Sequence, residues 1–204
     1  MSNVLYACST NPGKLREFAL YSPGSKYRIE PLPGLKEIAT PEEEGMSFEE
    51  NASLKAVYYS NFTSELVFAD DSGLEVDALE GKPGVHSARF AGSNATDQAN
   101  NNLLLSRLTG TAVRTARFVC VIALAHAGRV IQTFHGSVEG TILPEPKGQN
   151  GFGYDPLFFY SPFDASFAEV SGEKKFLVSH RGQALRCLLA YLSSSDDSSS
   201  TGVR

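Results

Sequence analysis

Two long β-rich runs that meet in a tight turn are the feature that most restricts the fold of this chain. The runs TARFVCVIALAH and RVIQTFHGSVEGTI are joined at the residues 126–129, His-Ala-Gly-Arg. Apolar and β-branched residues on both sides of a glycine-containing turn predict a β-hairpin. A hairpin pairs its strands antiparallel, so the sheet of this protein must contain antiparallel pairs.

The beginning of the chain predicts a different unit, a strand followed by a helix. The run NVLYACS is apolar, and LREFALY has helical spacing after the turn TNPGK. Asn11 suits the N-cap of that helix, and Pro12 suits its first turn, where no amide hydrogen is needed. Strand–helix units together with the hairpin predict an α/β fold, with a mixed β-sheet and flanking helices.

Capping signals and periodicity predict the remaining elements. Ser47 and Glu50 form a capping box that begins a helix through about Tyr59. Two more helices are predicted at TDQANNNLLLSRLTG and SHRGQALRCLLAYL, and strands at ELVFA, LEVDAL and LFFY. The serine-rich tail over residues 193–204 cannot bury apolar surface, so we expect a single domain over residues 1–192 followed by a disordered segment.

Composition and charge argue against several classes of protein. The chain has 204 residues, 42% of them hydrophobic, which suffices for a sizeable core. No run approaches about 18 uninterrupted apolar residues, so we expect no membrane span. The net charge of −5 disfavours a protein held to nucleic acid by phosphate contacts. Three cysteines without paired spacing, and no secretory signal, favour reduced thiols and a cytoplasmic location.

The segment VFADDSGLEV brings two adjacent carboxylates, Asp70 and Asp71, to the end of an apolar run. Asp-Ser-Gly is a common way to leave a strand, so a plain turn is one interpretation. A metal or water-activating site is the other, with the acidic run Glu42–Glu44 as a second source of ligands. By itself that run is also typical of a solvated surface. Because neighbours in a strand point to opposite faces, we expect one of the two aspartates to reach such a site.

Three further segments carry groups that could bind an anionic nucleotide. STNPGK places Lys14 at a helix N-terminus, which favours phosphate, although the segment is not a Walker A loop and also suits an ordinary capped helix. NGFGYDP offers Phe152 and Tyr154 as stacking faces for a base, or a plain turn. EKKFLVSHRGQ supplies cations at the start of a helix, where the helix dipole disfavours positive charge. This suggests that an anion or a base compensates the charge.

Five segments occur in order from about Val4 to Leu192: STNPGKLREF, EEEGMSFEENASLKA, ADDSGLEVDALEGKPGVHSARFAG, GFGYDPLF and SHRGQAL. Together they resemble the inosine triphosphate pyrophosphatase family, also called Ham1-like, and the five in this order are far more specific than any one alone. The resemblance implies an elongated mixed sheet with two lobes around a central cleft, and a homodimer. It also implies Mg²⁺-dependent hydrolysis of the noncanonical purine nucleotides dITP, ITP or XTP to the monophosphate and pyrophosphate.

The resemblance also implies roles for individual residues. Asp71 matches the general base and metal-side carboxylate of the family. Glu43 best matches its acidic metal position, although the match could slip to Glu42 or Glu44. The implied substrate contacts are Ser9, Thr10, Asn11, Pro12, Gly13, Lys14, Ser72, Phe152, Gly153, Tyr154, Asp155, Lys175, His180 and Arg181. Arg89 could be either an ion-pair partner or a site residue.

Two other functions stay open at the level of the sequence. One is a related pyrophosphatase acting on pyrimidine or methylated nucleotides. The other is a non-catalytic nucleotide-binding or RNA-associated protein, against which the carboxylates of Glu43 and Asp71 and the acidic net charge both count. The sequence does not rank ITP, dITP and XTP.

Overall fold

A seven-stranded mixed sheet is the central element of the computed structural model, which describes residues 3–20 and 26–200, with side chains as far as residue 195. Its strands are β1 (Val4–Ala7), β2 (Arg28–Pro31), β3 (Val67–Val76), β4 (Thr115–His126), β5 (Arg129–Ile142), β6 (Phe158–Tyr160) and β7 (Ala165–Ser166). They follow the order β2-β1-β3-β4-β5-β6-β7. Strand β1 is parallel to β2 and β3, whereas β6 is antiparallel to β5 and β7, which confirms the predicted mixed sheet.

The described residues form five α-helices. They are α1 (Pro12–Ala19), α2 (Phe48–Tyr59), α3 (Asp97–Arg107), α4 (Gly172–Val178) and α5 (His180–Ser200). Helices α1 and α2 begin at the caps that the sequence predicts, and α4 is not predicted. Asn11 caps α1, and Ser47 and Glu50 form both hydrogen bonds of the capping box of α2. These bonds satisfy amide hydrogens that have no partner within the helix. Within the described residues, no helix is both long and apolar enough to cross a membrane.

The predicted hairpin is formed by β4 and β5. Its two central residues, Ala127 and Gly128, have φ values of 47° and 75°. Left-handed conformations at both positions are typical of the two-residue turns whose twist matches that of the flanking strands. The amide of Gly128 donates to Ser60 Oγ at 2.9 Å, which ties the turn to the end of α2.

The prediction of two strands on either side of the aspartates was wrong. Strand β3 runs without a break through Asp70 and Asp71, which are 3% and 6% exposed. The two carboxylates do not have to leave the strand at a turn and reach water, because each forms an ion pair with a lysine side chain. Buried charges persist in this way when they are paired and hydrogen-bonded.

The last helix extends beyond Leu192, where the sequence predicts the ordered domain to end. Ser193 Oγ donates to the carbonyl of Leu189, and Ser194 and Ser195 donate to that of Tyr191, all at 2.8–2.9 Å. Such bonds to the preceding turn let serines continue a helix. Residues 201–204 of the expected tail lie outside the described residues. That the segment adds little to folding stays a prediction.

The chain forms two compact units. The first unit holds the described residues within 1–71, 121–136 and 181–204, and the second holds residues 72–120 and 137–180. In the first, the rings of Phe18 and Phe68 meet edge to face with centroids 5.0 Å apart. In the second, Phe118, Phe158 and Phe167 belong to one buried apolar cluster.

Candidate functional site

A buried lysine joins two carboxylates of the first unit. Lys55 Nζ lies 2.9 Å from Asp71 Oδ1 and 3.0 Å from Glu43 Oε1. The structure therefore brings Glu43, of the acidic run Glu42–Glu44, to the same ammonium group as Asp71. Sequence reasoning missed Lys55, although a lysine between the alanines of ENASLKA, on the buried face of a predicted helix, is a signal in itself.

Asn51 holds the acidic loop against the same carboxylate. Its Oδ1 accepts from the amide of Gly45 at 2.8 Å, and its Nδ2 donates to Asp71 Oδ2 at 3.4 Å. A Cβ atom at Gly45 would lie only 2.6 Å from Asn51 Oδ1, so glycine is required for this close approach. Asn51 precedes Lys55 by one helical turn, which places both side chains on the same face of α2.

Burial and charge act in opposite directions on these groups. Burial raises the pKa of Asp71 more than the charges of Lys55 and Lys14 lower it, so its net shift is upward. Burial lowers the pKa of Lys55, but the carboxylates of Asp71, Glu43 and Asp70 outweigh this and raise it. At neutral pH, Lys55 is therefore a cation beside a carboxylate that accepts protons more readily than an exposed aspartate does.

Asp70 points to the other face of β3 and belongs to a second network of the first unit. Its Oδ2 lies 2.9 Å from Lys14 Nζ and accepts from Arg181 Nε at 3.3 Å. Arg181 Nη1 also donates to Glu17, a buried residue that sequence reasoning missed. Burial by itself would raise the pKa of Asp70, but the charges of Lys14, Arg181 and Lys55 outweigh it and hold that pKa well below its usual range.

The predicted phosphate-binding turn lies at the N-terminus of α1. Asn11 Oδ1 accepts from the amides of Gly13 and Lys14 at 2.8 and 3.1 Å, and Ser9 Oγ accepts from the Asn11 amide at 3.2 Å. Thr10, Asn11 and Pro12 are exposed. The turn therefore presents a helix N-terminus to solvent, with the ammonium of Lys14 close to it, and both features attract anions.

In the second unit, the loop Phe152–Asp155 is held by ionic and hydrogen bonds. Asp155 Oδ2 accepts from the Phe152 amide at 2.9 Å and from Lys175 Nζ at 2.6 Å. The ammonium of Lys175 lies 5.1 Å from the centroid of the Phe152 ring, as in a cation–π contact. Asp155 and Lys175, both buried, thus fix the backbone beside a half-buried aromatic ring.

Of the two aromatic residues predicted as stacking faces, the structure places one in the core. Tyr154 is 4% exposed, and its hydroxyl donates to the Ser87 carbonyl at 2.8 Å. Buried tyrosines find a partner for the hydroxyl in this way, while the ring packs among apolar side chains. Phe152 is therefore the aromatic residue of this loop that can present a face to a base.

His180 and Arg181 begin α5, as the sequence predicts, but they belong to different units. His180 is 3% exposed and stacks on Phe118 in the second unit, with centroids 4.8 Å apart. The sequence predicts that an anion or a base compensates a cation at this helix start. For Arg181, the carboxylates of Glu17 and Asp70 provide this compensation. Ser72 is half-buried in β3, and Arg89 ends a 3₁₀ helix over Gly84–Arg89.

The carboxylates of Glu43 and Asp71 suit Mg²⁺ as a donor set. Mg²⁺ is usually bound through one or two carboxylates, with substrate phosphates and waters as its other ligands. In the described part of the chain, no three His, Cys, Asp or Glu residues form a group that could hold a metal ion alone. These residues therefore suit a Mg²⁺ site whose other ligands are substrate phosphates and waters. They do not suit a site in which the protein supplies all the ligands.

This chain is similar to several known proteins over most of its length. A dITP/XTP pyrophosphatase of an Exiguobacterium species is 48% identical over 91% of the chain and 95% of its own length, and one of Acidobacterium capsulatum is 49% identical over 94% and 99%. The solved Ham1 protein of Staphylococcus aureus aligns with a TM-score of 0.83 at 40% identity, covering 94% of this chain and 99% of its own. The model of the Ham1 family matches residues 5–191. The chain belongs to the Ham1 family.

Proposed function

We propose that this protein hydrolyses the noncanonical purine nucleoside triphosphates dITP, ITP and XTP to the monophosphate and pyrophosphate, and so removes them from the nucleotide pool. The observation that carries the proposal is the buried carboxylate of Asp71, with its raised pKa, which shares the ammonium of Lys55 with Glu43. A carboxylate with increased proton affinity suits a general base. The activity named for the relatives supports the substrate class.

The triphosphate is bound by cationic groups in this proposal. A nucleoside triphosphate brings about four negative charges, which fixed cations and helix dipoles stabilise. The turn Ser9–Lys14 offers the N-terminus of α1, with Lys14 held near it by Asp70. Lys175 adds a cation in the second unit.

Asp71 accepts the proton of the water that attacks the α-phosphorus, and pyrophosphate leaves. The hydrogen bonds from Lys55 and Asn51 hold the carboxylate of Asp71 in one orientation for this step. Glu43 and Asp71 would hold Mg²⁺, which supplies neutralisation of the charge that develops on the phosphates. Lys55 holds these two carboxylates close to each other.

Base recognition is proposed for the loop Phe152–Asp155, together with Ser72, His180 and Arg181. Phe152 offers a ring for stacking, and the polar groups of these residues are proposed to read the 6-keto edge of the purine. A 6-amino group presents a donor where the protein expects an acceptor, and the resulting unpaired groups can cost a factor of roughly 10⁴ in specificity. We propose further that the protein acts as a cytoplasmic homodimer without a nucleic-acid partner, in line with its net charge of −5.

A nucleotide panel tests the proposed function. Purified protein is incubated with Mg²⁺ and dITP, XTP, dGTP, ATP or dUTP, and the monophosphate and pyrophosphate are quantified. We expect dITP and XTP to be hydrolysed at least about 10²-fold more efficiently than ATP, which has a 6-amino group. We also expect them to be preferred to dGTP, which shares the 6-keto group and differs from dITP by its 2-amino group. Omission of Mg²⁺ is expected to abolish turnover. Release of orthophosphate in place of pyrophosphate, or a preference for dUTP, would contradict the proposal.

A further inference from the structure

Helix α3 holds both polar backbone groups of one residue in the loop Phe152–Asp155. The amide of Gly153 donates to Asp97 Oδ2 at 2.7 Å, and Asn101 Nδ2 donates to the Gly153 carbonyl at 3.0 Å. Asp97 and Asn101 stand four positions apart, so they lie on the same face of the helix, one turn from each other. All three residues belong to the second unit.

The conformation of Gly153 makes these two bonds important. Its φ of 61° lies in the left-handed region, which side-chain-bearing residues rarely adopt. An added Cβ would meet nothing within 4 Å, so glycine is needed here for its backbone conformation and not for space. Because glycine readily adopts other conformations, contacts from outside the residue must keep it in this one.

Gly153 connects the candidate stacking ring to a fixed anchor. On one side is Phe152, half-buried, and on the other is Tyr154, fixed in the core by its hydrogen bond to the Ser87 carbonyl. The dihedral angles of Gly153 therefore set the direction of the Phe152 ring relative to that anchor. A change at Gly153 leaves the hydrogen bond of the Tyr154 hydroxyl in place and acts on Phe152 together with one other restraint, the bond from its amide to Asp155.

The environment of Asn101 shows that its side chain is placed for this contact. The residue is 6% exposed, and within the described residues its Oδ1 has no hydrogen-bond partner. A buried unpaired oxygen is unfavourable. An apolar residue would avoid this penalty but could not donate to Gly153. The next residue, Asn102, is exposed and contacts Gln98 on the same helix, so it is a natural control.

We propose that Asp97 and Asn101 are positioning residues that set the Phe152 ring for a purine base and so contribute to base selectivity. This inference rests on the proposed function, because the ring acts as a stacking face only for a bound nucleotide. The phosphate-binding turn and the carboxylates Glu43 and Asp71 belong to the first unit and make no part of these contacts. Release of Gly153 therefore changes base binding more than the chemical step.

Kinetics with dITP and dGTP test the proposal in Asn101→Ala, Asp97→Ala and the matched control Asn102→Ala. For Asn101→Ala we expect KM for dITP to rise about tenfold, while kcat stays within about twofold of the wild type. The kcat/KM ratio of dITP over dGTP should fall about tenfold, which corresponds to about 1.4 kcal/mol. The exposed Asp97→Ala should change the ratio about threefold. Asp97→Asn retains an acceptor oxygen and should restore most of the selectivity, and Asn102→Ala should match the wild type.

Amide hydrogen exchange at Gly153 provides a readout that does not depend on activity. Exchange should be faster in Asp97→Ala and Asn101→Ala, but unchanged in Asn102→Ala. Unchanged exchange in Asp97→Ala and Asn101→Ala would overturn the role of α3 but not the proposed function. Faster exchange with unchanged selectivity in an active enzyme would have the same consequence. A wild type that releases no pyrophosphate from dITP or XTP overturns the proposed function and the selectivity role with it.

Discussion

At the scale of single residues, two adjacent aspartates of β3 have opposite electrostatic environments. Burial acts on both, yet the pKa of Asp70 is lowered and that of Asp71 is raised. The side chains point to opposite faces of the strand, where Asp70 meets Lys14 and Arg181, while Asp71 shares Lys55 with Glu43. Asp70 is therefore a fixed charge, whereas Asp71 is suited to exchange a proton.

Asp71→Asn tests the role of the general base. Because the amide cannot accept the proton from water, kcat for dITP should fall by at least about 10². The fold should persist, since the amide has nearly the same volume, and circular dichroism checks this. Glu42→Gln, at an exposed carboxylate of the same acidic run, is the control and should keep wild-type turnover. Near-normal turnover in folded Asp71→Asn would exclude the assigned role.

Asp70→Asn tests the structural role of the fixed charge. The substitution leaves the half-buried Lys14 and the buried Arg181 without a carboxylate that both contact, and we expect a loss of about 3 kcal/mol in the free energy of unfolding at pH 7. Because the pKa of Asp70 is lower in the folded than in the unfolded state, its contribution is complete above about pH 4 and decreases as the pH falls further.

Urea denaturation at pH 7 and at pH 3 measures this difference between variant and wild type. The two midpoints should be well separated at pH 7 and closer together at pH 3. Equal separation at both pH values would show that the ionised form of Asp70 is not what stabilises the fold.

At the scale of elements, helices present several residues of the candidate site. The N-terminus of α1 presents the exposed turn at Thr10–Pro12, and α2 presents Asn51 and Lys55 from consecutive turns. The N-terminal half of α3 holds the loop around Gly153. Three helices that are far apart in the sequence thus position these groups.

Lys14→Ala tests whether the start of α1 binds phosphate. A lysine acts on phosphate as a point charge and does not sense the base, so KM should rise by a similar factor, about tenfold, for dITP and dGTP alike. The kcat/KM ratio of the two nucleotides should stay within about twofold. Lys36→Ala, at an exposed lysine, is the control. A tenfold change in the ratio would assign Lys14 to base recognition instead.

Truncation after Leu192 tests the end of α5. The hydroxyls of Ser193, Ser194 and Ser195 donate to the carbonyls of Leu189 and Tyr191 in the same helix, so the loss of these bonds removes no contact with another element. Serine is also a weaker helix former than alanine or leucine. We expect the Tm to change by less than about 2 °C and dITP hydrolysis to be unchanged. Loss of activity in a folded truncated protein would show that the segment contributes to the site.

At the scale of the whole molecule, the proposed chemistry is divided between the two units. The first unit contains the carboxylates Glu43 and Asp71 and the turn at Lys14, and the second contains the Phe152 loop with Lys175. Lys14→Ala changes a proposed phosphate contact in the first unit, and Asn101→Ala changes a residue proposed to position the base-stacking ring in the second. Both variants should raise KM for dITP, but only Asn101→Ala should lower the kcat/KM ratio of dITP over dGTP.

Thiol labelling tests which cysteines are buried in the folded protein. Cys8 and Cys120 are buried, whereas Cys187 is exposed, and burial raises the pKa of the Cys8 thiol to about 12. The native protein should therefore react with iodoacetamide at Cys187, and Cys187→Ser should remove this labelling, while urea should expose all three thiols. Labelling of Cys8 in the native state would contradict the packing of β1.

The sequence by itself determined the elements whose signals are local. The caps at Asn11 and Ser47 and the hairpin turn at Ala127 and Gly128 depend on residues within a few positions of one another, so pattern and turn chemistry suffice to predict them. The five ordered segments likewise indicated the family that the comparison confirms.

Only the tertiary structure decided how the charged residues are paired. Arg181 contacts Glu17, which is 164 positions away in the sequence, and Lys55 contacts Asp71, which is 16 positions away. At such separations no periodic pattern in the sequence predicts that two residues meet. The same pairing explains why β3 continues through Asp70 and Asp71, where local turn propensity predicts an end. Partners from distant segments compensate the buried charges, and tertiary contacts of this kind override local preference.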